Sequence, residues 1–526
     1  MFKKLALKGL CVALCAGSLA GCSTGSTPTT TTPQTESKPK AEESAQKKED
    51  VASQLVVYNN SGSIAGPGSE SGADPKIMAQ VKEWFKEGTG HEVDVVVPPA
   101  GEEEKKLNLL LAANEQIDVF WGKWPEYASK KMIIPLNEYL DTVGQDIKAA
   151  WPQESWDCMT DKDGNIWGIP RMTPFLGNPI WIREDWLEAV GLPMPKTIDE
   201  YEQVLKAFKE QKPGGEGTIP LLADIAGKHS SKGLHNTFLG AFTEYGYSNW
   251  YDETDGKVKP AELQPGFKDF LTTMNRWYTE GYMFPEFAAL SKDKIREIIK
   301  QGRAGSAAVW YSNITLSAYD LQKNIPTATY AFPLGGLEGP KGKAETAQGA
   351  DTQGAMISAN CNDPKAAIEM LNFIYANPEN HMVSWYGPED MFWKWEDKDQ
   401  YVYETIGEKQ GYYAEYAFAI GLPMETAVVG NNPQQAIHQD YLKNDGTDLV
   451  RAKMPVDAGI VYDPAIIKEK VPGASDIQRM IDEETIKFVM GKRPIDEFDQ
   501  FVDQLYQAGL DKWIECYTQM YLDQKK

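Results

Sequence analysis

EVDVVVPPAGEEEKKLNLLLAANEQIDVFWGKW, Glu92 to Trp124, is the stretch that decides the fold class. Glu92 to Val97 is a short run rich in β-branched residues, Glu102 to Asn114 reads as an amphipathic helix, and Ile117 to Trp121 returns as a strand. Gly122 then breaks the run, which leaves Lys123 and Trp124 on a loop just past a strand end. Strand, helix and strand in this order predict parallel pairing with a helical crossover.

The pattern extends both ways. Upstream, Leu55 to Tyr58 is a strand, and Asp74-Pro75 opens a helix with apolar Ile77, Met78, Val81, Trp84 and Phe85, closed by Gly88 and Gly90. Downstream, Asp163-Gly164 signals a tight turn before a strand at Ile166 to Ile169. Asn178 to Arg183 reads as strand and Glu184 to Val190 as helix. Thr197-Ile-Asp-Glu200 is a capping box opening a helix to about Glu210, and Ile219 to Ala223 is again strand. Helices follow over Gly266 to Tyr278 and Ser291 to Gly302, then an apolar strand over Ala307 to Tyr311. The Gly, Pro and Lys-rich region Tyr330 to Gly354 reads as loop and strand before a helix over Pro364 to Ala376. The last fifty residues read as helix, broken near Gly491 and Gly509.

The first residues, MFKKLALKGLCVALCAGSLAGC, have a basic start, an apolar stretch from Leu10 to Leu19 and small residues before Cys22. These are the three parts of a secretory signal over residues 1–21, with an apolar part short for a membrane span. Leu19-Ala20-Gly21-Cys22 resembles a bacterial lipobox, in which Cys22 becomes the lipidated first residue. Residues 22–52 then carry almost no large apolar side chain and read as a disordered tether spanning on the order of 30 Å. Lipid and tether together predict a body held at the extracellular face of the cytoplasmic membrane.

A net charge of −23 argues against a nucleic-acid partner, which needs clustered Lys and Arg. Beyond Cys22 only Cys158, Cys361 and Cys516 remain, too few and too scattered for a disulfide framework or a C-x-x-C metal pair. No H-E-x-x-H, nucleophile elbow or phosphate loop is present, and the histidines lack metal-ligand spacing. Asp161-Lys-Asp-Gly-Asn165 has its glycine fourth rather than sixth and no closing Glu, which favours a hairpin turn over a calcium loop. Catalytic residues, metal ligands and cofactors are therefore not expected. Paired carboxylates of a glycosidase stay open, because sequence gives no distances between acids.

Aromatic side chains are abundant, with 15 tryptophans. Sugar rings pack their C–H faces on aromatic planes while their hydroxyls need polar neighbours, so mixed aromatic and polar loops suit glycans. In open α/β sheets ligands gather beyond the carboxyl ends of strands. Trp121, Lys123, Trp124, Trp310, Tyr311 and Asn313 fall there. Core packing is the alternative for each tryptophan, and Trp84, Trp186 and Trp277, set in helical patterns, read as core.

Several longer segments carry a family resemblance. Trp181-Ile-Arg-Glu-Asp-Trp-Leu187 with Gly191-Leu192, Thr197 to Phe208 (TIDEYEQVLKAF), Phe270 to Phe287 with its Tyr278 to Gly281 core, and the tail Phe488 to Tyr521 resemble the family 1 extracellular solute-binding lipoproteins. These are the sugar receptors of bacterial ABC importers, and the match is to their long LplA-type branch. The resemblance implies a two-lobed α/β, periplasmic-binding-protein-like fold with crossing hinge segments. It also implies a sugar in the cleft and lobe closure recognised by a membrane permease. Gly387, Glu389 and Trp393 fit a motif that faces ligand in relatives, whereas Asp390 and Met391 depart from its spacing.

The expected lobes are 53–170 and 306–358 for the first, and 171–305 and 359–526, with the C-terminal helices, for the second. Expected stacking residues are Trp121, Trp124, Trp310, Trp385 and Trp393, beside Tyr311. Expected hydrogen-bonding groups are Asn60, Lys123, Arg171, Asn313 and Glu389. The leading reading is a monomeric, lipid-anchored protein that captures an oligosaccharide for an ABC permease. A surface glycosidase or polysaccharide lyase is the alternative from another class, and a peptide or adhesion receptor a third.

Overall fold

The computed structural model describes residues 53–58, 75–96, 98, 102–225, 232–391, 393–406, 427–431 and 433–525. The leader, the tether, Cys22 and Asn60 lie outside the described residues.

The chain begins β1 (Gln54–Tyr58), α1 (Pro75–Thr89), β2 (Glu92–Val96), α2 (Glu103–Ala112) and β3 (Val119–Lys123). Four short helices follow: α3 (Trp124–Ala128), α4 (Asn137–Thr142), α5 (Gln145–Ala150) and α6 (Gln153–Met159). After β4 (Ile169–Pro170) come β5 (Ile180–Arg183), α7 (Glu184–Val190), α8 (Ile198–Gln211), β6 (Ile219–Ala223), α9 (Gly233–Phe238), β7 (Trp250–Asp252) and β8 (Lys257–Lys259). Next are α10 (Phe267–Thr279), α11 (Lys292–Lys300), β9 (Ala304–Ala308), α12 (Ser312–Thr315), α13 (Ala318–Asn324), β10 (Tyr330–Ala331) and β11 (Gln353–Ile357). Then come α14 (Pro364–Tyr375), α15 (Pro378–Tyr386), β12 (Trp393–Asp397), β13 (Val402–Thr405) and β14 (Val429–Gly430). The chain closes with α16 (Pro433–Asn444), α17 (Leu449–Ala452), α18 (Pro464–Lys470), α19 (Ala474–Val489), α20 (Phe498–Gln507) and α21 (Leu510–Gln524).

The first lobe is built on the sheet β2-β1-β3-β11-β4 and the second on β10-β5-β9-β6. β1 runs parallel to β2 and β3, as the strand-helix-strand pattern predicts. β11 runs antiparallel to β3 and β4, and β5 antiparallel to β9, so both sheets are mixed. Alternate residues of each strand supply opposite faces. In the first lobe Val57 and Val119 pack with Phe85, Ile368 and Leu371, while Tyr58 and Phe120 pack with Leu107 and Leu111 on the other side. In the second, Ile180 and Ile182 meet Tyr201, Phe208 and Trp277, while Trp181 meets Ile298 and Ile299. Each such fully buried side chain contributes roughly 1.5–3 kcal/mol. The Thr197 cap forms, its Oγ1 accepting from the Glu200 amide at 3.1 Å, while the Glu200 carboxylate reaches one residue past the N-cap and accepts from the Lys196 amide at 2.7 Å.

Strand pairing divides the lobes differently from the expected boundaries. Ala304–Ala308, a fully buried strand of small residues, lies between β5 and β6 in the second sheet, and β10 pairs with β5 there. The close packing needs the small side chains, since a Cβ at Gly305 would fall 2.4 Å from the Trp186 ring. The chain therefore stays in the second lobe past residue 306 and re-enters the first at β11. It also remains there beyond 359, because α14 joins the first core and β12–β14 pack with Met382 and Val383 of α15. It is back in the second lobe by α16, which meets that core through Tyr441 and Leu442.

Two crossing segments are joined as a short antiparallel pair: the Phe175 amide donates to the Gln348 carbonyl at 2.9 Å, and Gln348 returns the bond at 2.8 Å. The Leu176 amide donates to the Gly446 carbonyl at 2.7 Å, which ties the first crossing to the chain that follows the third.

Candidate ligand-binding site

At the carboxyl end of β3 the strand turns directly into α3. Gly122 is required there, because a Cβ would lie 2.6 Å from the Tyr127 ring and 2.7 Å from Met356. Trp121 is corrected from a stacking residue past the strand end to core: it lies inside β3, 5% exposed, with the Arg171 guanidinium 5.9 Å above its ring. Lys123 is exposed opposite Gln353 in the ladder. Trp124 is half-buried and fixed at both ends: its amide donates to the Thr352 carbonyl at 3.1 Å and its indole Nε1 to the Cys158 carbonyl at 2.9 Å.

Trp124 lies parallel to Trp167, ring centroids 6.2 Å apart and planes 9° apart. Trp167 is in turn aimed by Asp161, which accepts its indole N–H at 2.8 Å. The same carboxylate accepts the Asp163 and Asn165 amides at 2.8 and 2.9 Å and the Asn165 side chain at 2.9 Å. Burial would raise this carboxyl, but the bonds from Asn165, Trp167 and the loop amides hold it below its ordinary value. Asp161 to Asn165 is thus a turn organised by its own amides, as the hairpin reading expects. Among the described residues no group of three acids, histidines or cysteines is arranged to hold a metal ion.

Arg171, on the first crossing segment, donates through Nη1 to Gln353 Oε1 at 2.9 Å. Asp351 on the second stands beside it, open to solvent at its own surface but walled by protein. Burial raises the Asp351 carboxyl, while the Gln353 amide at 2.8 Å and the Arg171 and Lys123 charges pull it back.

The second lobe presents its aromatic pair past β9. Trp310 stands edge-on to Phe175 of the crossing segment, centroids 5.5 Å apart, and covers Gly177, where a Cβ would come within 2.6 Å of the indole. The Tyr311 amide donates to the Gly177 carbonyl at 3.1 Å, and its ring stacks on His438 at 4.4 Å and 11°. Burial drives the His438 pKa down to about 3, so the imidazole under Tyr311 is neutral. Asn313 is buried and accepts from Arg296 Nε at 3.2 Å. Burial, then the charge of Arg296, lowers the nearby Lys292 ammonium.

The structure therefore brings Trp121, Lys123, Trp124 and Arg171 together, and links them through the paired crossing segments to Trp310, Tyr311 and Asn313. The 385–393 group lies apart on α15 and the small sheet β12-β13-β14. Trp393 is corrected from a stacking residue to core: it is fully buried, donates to the Gly387 carbonyl at 2.9 Å and leaves no face for a ligand. Trp385 is half-buried against the first core and lies 14° from parallel with His381, centroids 6.2 Å apart. Glu389 is exposed, and its charge acts on Lys398. Sequence reasoning missed Trp167, Asp351 and Gln353. The available signal was spacing: Trp167 closes the Asp163-Gly164 turn, and Asp351 and Gln353 immediately precede a returning strand.

Comparison with known proteins gives a consistent picture. The model of a family described as bacterial extracellular solute-binding protein matches residues 68–381. The chain is 25% identical, over 83% of its length and 87% of the relative's, to the polygalacturonan/rhamnogalacturonan-binding protein YtcQ of Bacillus subtilis (strain 168). Over 30% of each chain it is 30% identical to the fructooligosaccharide ABC transporter substrate-binding protein FusA of Streptococcus pneumoniae. Its fold resembles the N-glycan transport solute binding protein NgtS of Streptococcus pneumoniae, with a TM-score of 0.65 at 17% identity over 89% of this chain and 98% of that one.

Proposed function

The chain belongs to the bacterial extracellular solute-binding proteins, and from that premise we propose that it captures an oligosaccharide between its lobes and delivers it unchanged to an ABC permease. The observation that carries this reading is the group at the carboxyl end of β3. Two parallel indoles, Trp124 and Trp167, lie beside an Arg171–Gln353 pair and the Asp351 carboxyl. Indole faces suit the C–H faces of sugar rings, and the polar trio suits their hydroxyls. Trp310 and Tyr311, packed on Phe175 of the crossing segment, would add aromatic surface from the second lobe. Sugar would favour the closed state by touching both lobes, with motion absorbed where Phe175 and Gln348 cross.

Relatives whose names specify pectic polysaccharide and fructooligosaccharide binding support a saccharide ligand. Lys123 and Arg171 also provide charge partners for a carboxylate-bearing sugar. Lipid attachment at Cys22 and the tether of residues 22–52 would hold a monomeric body near its permease, outside the cytoplasmic membrane. Among the described residues no helix is long and apolar enough to cross a membrane.

A thermal-shift panel of oligogalacturonides, fructooligosaccharides, mannosides and peptides tests the reading. A saccharide at 100 times its Kd stabilises by about 2.7 kcal/mol. No shift from any saccharide overturns the proposal, and cleavage of a stabilising saccharide moves it to the glycosidase or lyase class.

A further inference from the structure

A piece of chain other than the crossing segments also reaches from one lobe to the other. Residues 455–461 form two successive turns, with the Ala458 amide donating to Pro455 at 3.1 Å and the Ile460 amide to Asp457 at 2.9 Å. Both ends are held by the second lobe. Asn249 Nδ2 donates to the Asp457 carboxylate at 2.8 Å. Gln524 of α21 makes two bonds of 2.9 Å with the Val461 amide and carbonyl. Tyr462 continues the anchor against Tyr517, ring centroids 4.3 Å apart.

The apex meets the first lobe. Gly459 has φ +81°, and a Cβ there would lie 3.4 Å from Cys158 Cα and 3.8 Å from both Cys158 Sγ and the Asp157 carbonyl. Glycine suits the position by its left-handed backbone, and the distances to α6 are those of ordinary van der Waals contact. Cys158 is 4% exposed, and its carbonyl receives the Trp124 indole. The strap thus rests at Gly459 on the residue that fixes the proposed platform, while its Asn249 and Gln524 anchors belong to its own lobe. A hinge motion at the crossing segments carries strap and second lobe away together and uncovers Cys158.

We propose that residues 455–461 are a latch that seats on the last turn of α6 when the lobes shut, so that ligand-driven closure shields Cys158. This rests on the oligosaccharide-capture reading, and the test separates the two. The protein is alkylated with N-ethylmaleimide, with and without a saccharide shown by calorimetry to bind, and modification of Cys158, Cys361 and Cys516 is followed by peptide mass spectrometry. Saccharide is expected to slow Cys158 at least tenfold and to leave Cys516, buried inside the second lobe, unchanged. Replacing both anchors, Asn249→Ala with Gln524→Ala, is expected to abolish most of the saccharide protection while leaving ligand-free labelling of Cys158 within about twofold of wild type. Either single replacement gives a milder version should the pair impair folding. Binding without protection of Cys158 overturns the latch alone. Full protection of Cys158 by saccharide in the double variant also overturns the latch, and absence of binding across the panel overturns the capture reading and ligand-driven latching with it.

Discussion

Trp124 and Trp393 sit in stretches that look alike in sequence, each a short run of aromatic, glycine and charged residues, yet the structure uses them in opposite ways. Both indole nitrogens donate to a backbone carbonyl at 2.9 Å, Cys158 for Trp124 and Gly387 for Trp393. The difference lies in the ring faces. Trp393 packs edge-to-face on Trp395 at 5.1 Å and is wholly enclosed with Met382, Val383 and Tyr403. Trp124 keeps part of its surface open next to Trp167 and the crossing segments. A satisfied indole N–H is thus no guide to role; whether a ring face stays open is.

The largest effect that can break this contrast is Trp393→Ala. Removing a fully buried indole and orphaning the Gly387 carbonyl should cost about 3–5 kcal/mol by denaturant unfolding, with saccharide Kd in the folded fraction unchanged. A stable variant that loses binding would reverse the assignment. Trp124→Ala should do the opposite. Loss of a stacking face is expected to weaken saccharide binding ten- to thirtyfold, roughly 1.4–2 kcal/mol, while unfolding stays cooperative. Unchanged affinity by calorimetry would remove Trp124 from the platform.

The sequence made the local elements legible because periodicity and capping are local: α7, the capped start of α8, and β6 sit within a residue or two of their expected positions. Partner choice was not local. The region 330–354 was readable as loop and strand, but nothing in it says that β11 runs against β3 and β4. Ala304–Ala308 was read three residues late, at Ala307 to Tyr311, because a strand of Ala, Gly and Ser has almost no hydrophobic signal although it is completely buried. The lobe boundary moved because β9 pairs with β5 and β6 in the second sheet, while Trp310, Tyr311 and Asn313 still lie past its end. Trp393 was misread for the same physical reason in reverse: burial on a three-stranded sheet depends on Met382, Tyr403 and Val428, distant residues that no spacing reveals.

A smaller effect distinguishes the two regions by pH. Each rests an aromatic ring on a buried, neutral imidazole, Tyr311 on His438 and Trp385 on His381, and burial drives both histidines down to about 3. The unfolded chain takes up protons near 6.5 that the folded chain refuses, so stability present above that pH is lost progressively as pH falls toward 3. Unfolding free energy should therefore decline below about pH 6.5, and His381→Leu and His438→Leu should each flatten part of the slope. If only His438→Leu also changes saccharide affinity, the Tyr311 support belongs to the ligand site and the Trp385 support does not.

The smallest effect sharpens the contrast at the edge of the Trp393 region. Glu389 is exposed, and its ionic neighbour Lys398 already has a closer partner in Glu379 at 2.9 Å. An exposed charge with a redundant partner contributes little, so Glu389→Ala should move stability by less than about 0.5 kcal/mol. It should leave saccharide Kd within twofold, because the exposed Glu389 carboxylate has its ionic neighbour in Lys398 rather than in the Trp124 and Arg171 group. A tenfold loss of affinity on calorimetry would mean that this stretch reaches the ligand after all. The contrast would then hold for the buried ring of Trp393 but fail for the loop that carries it.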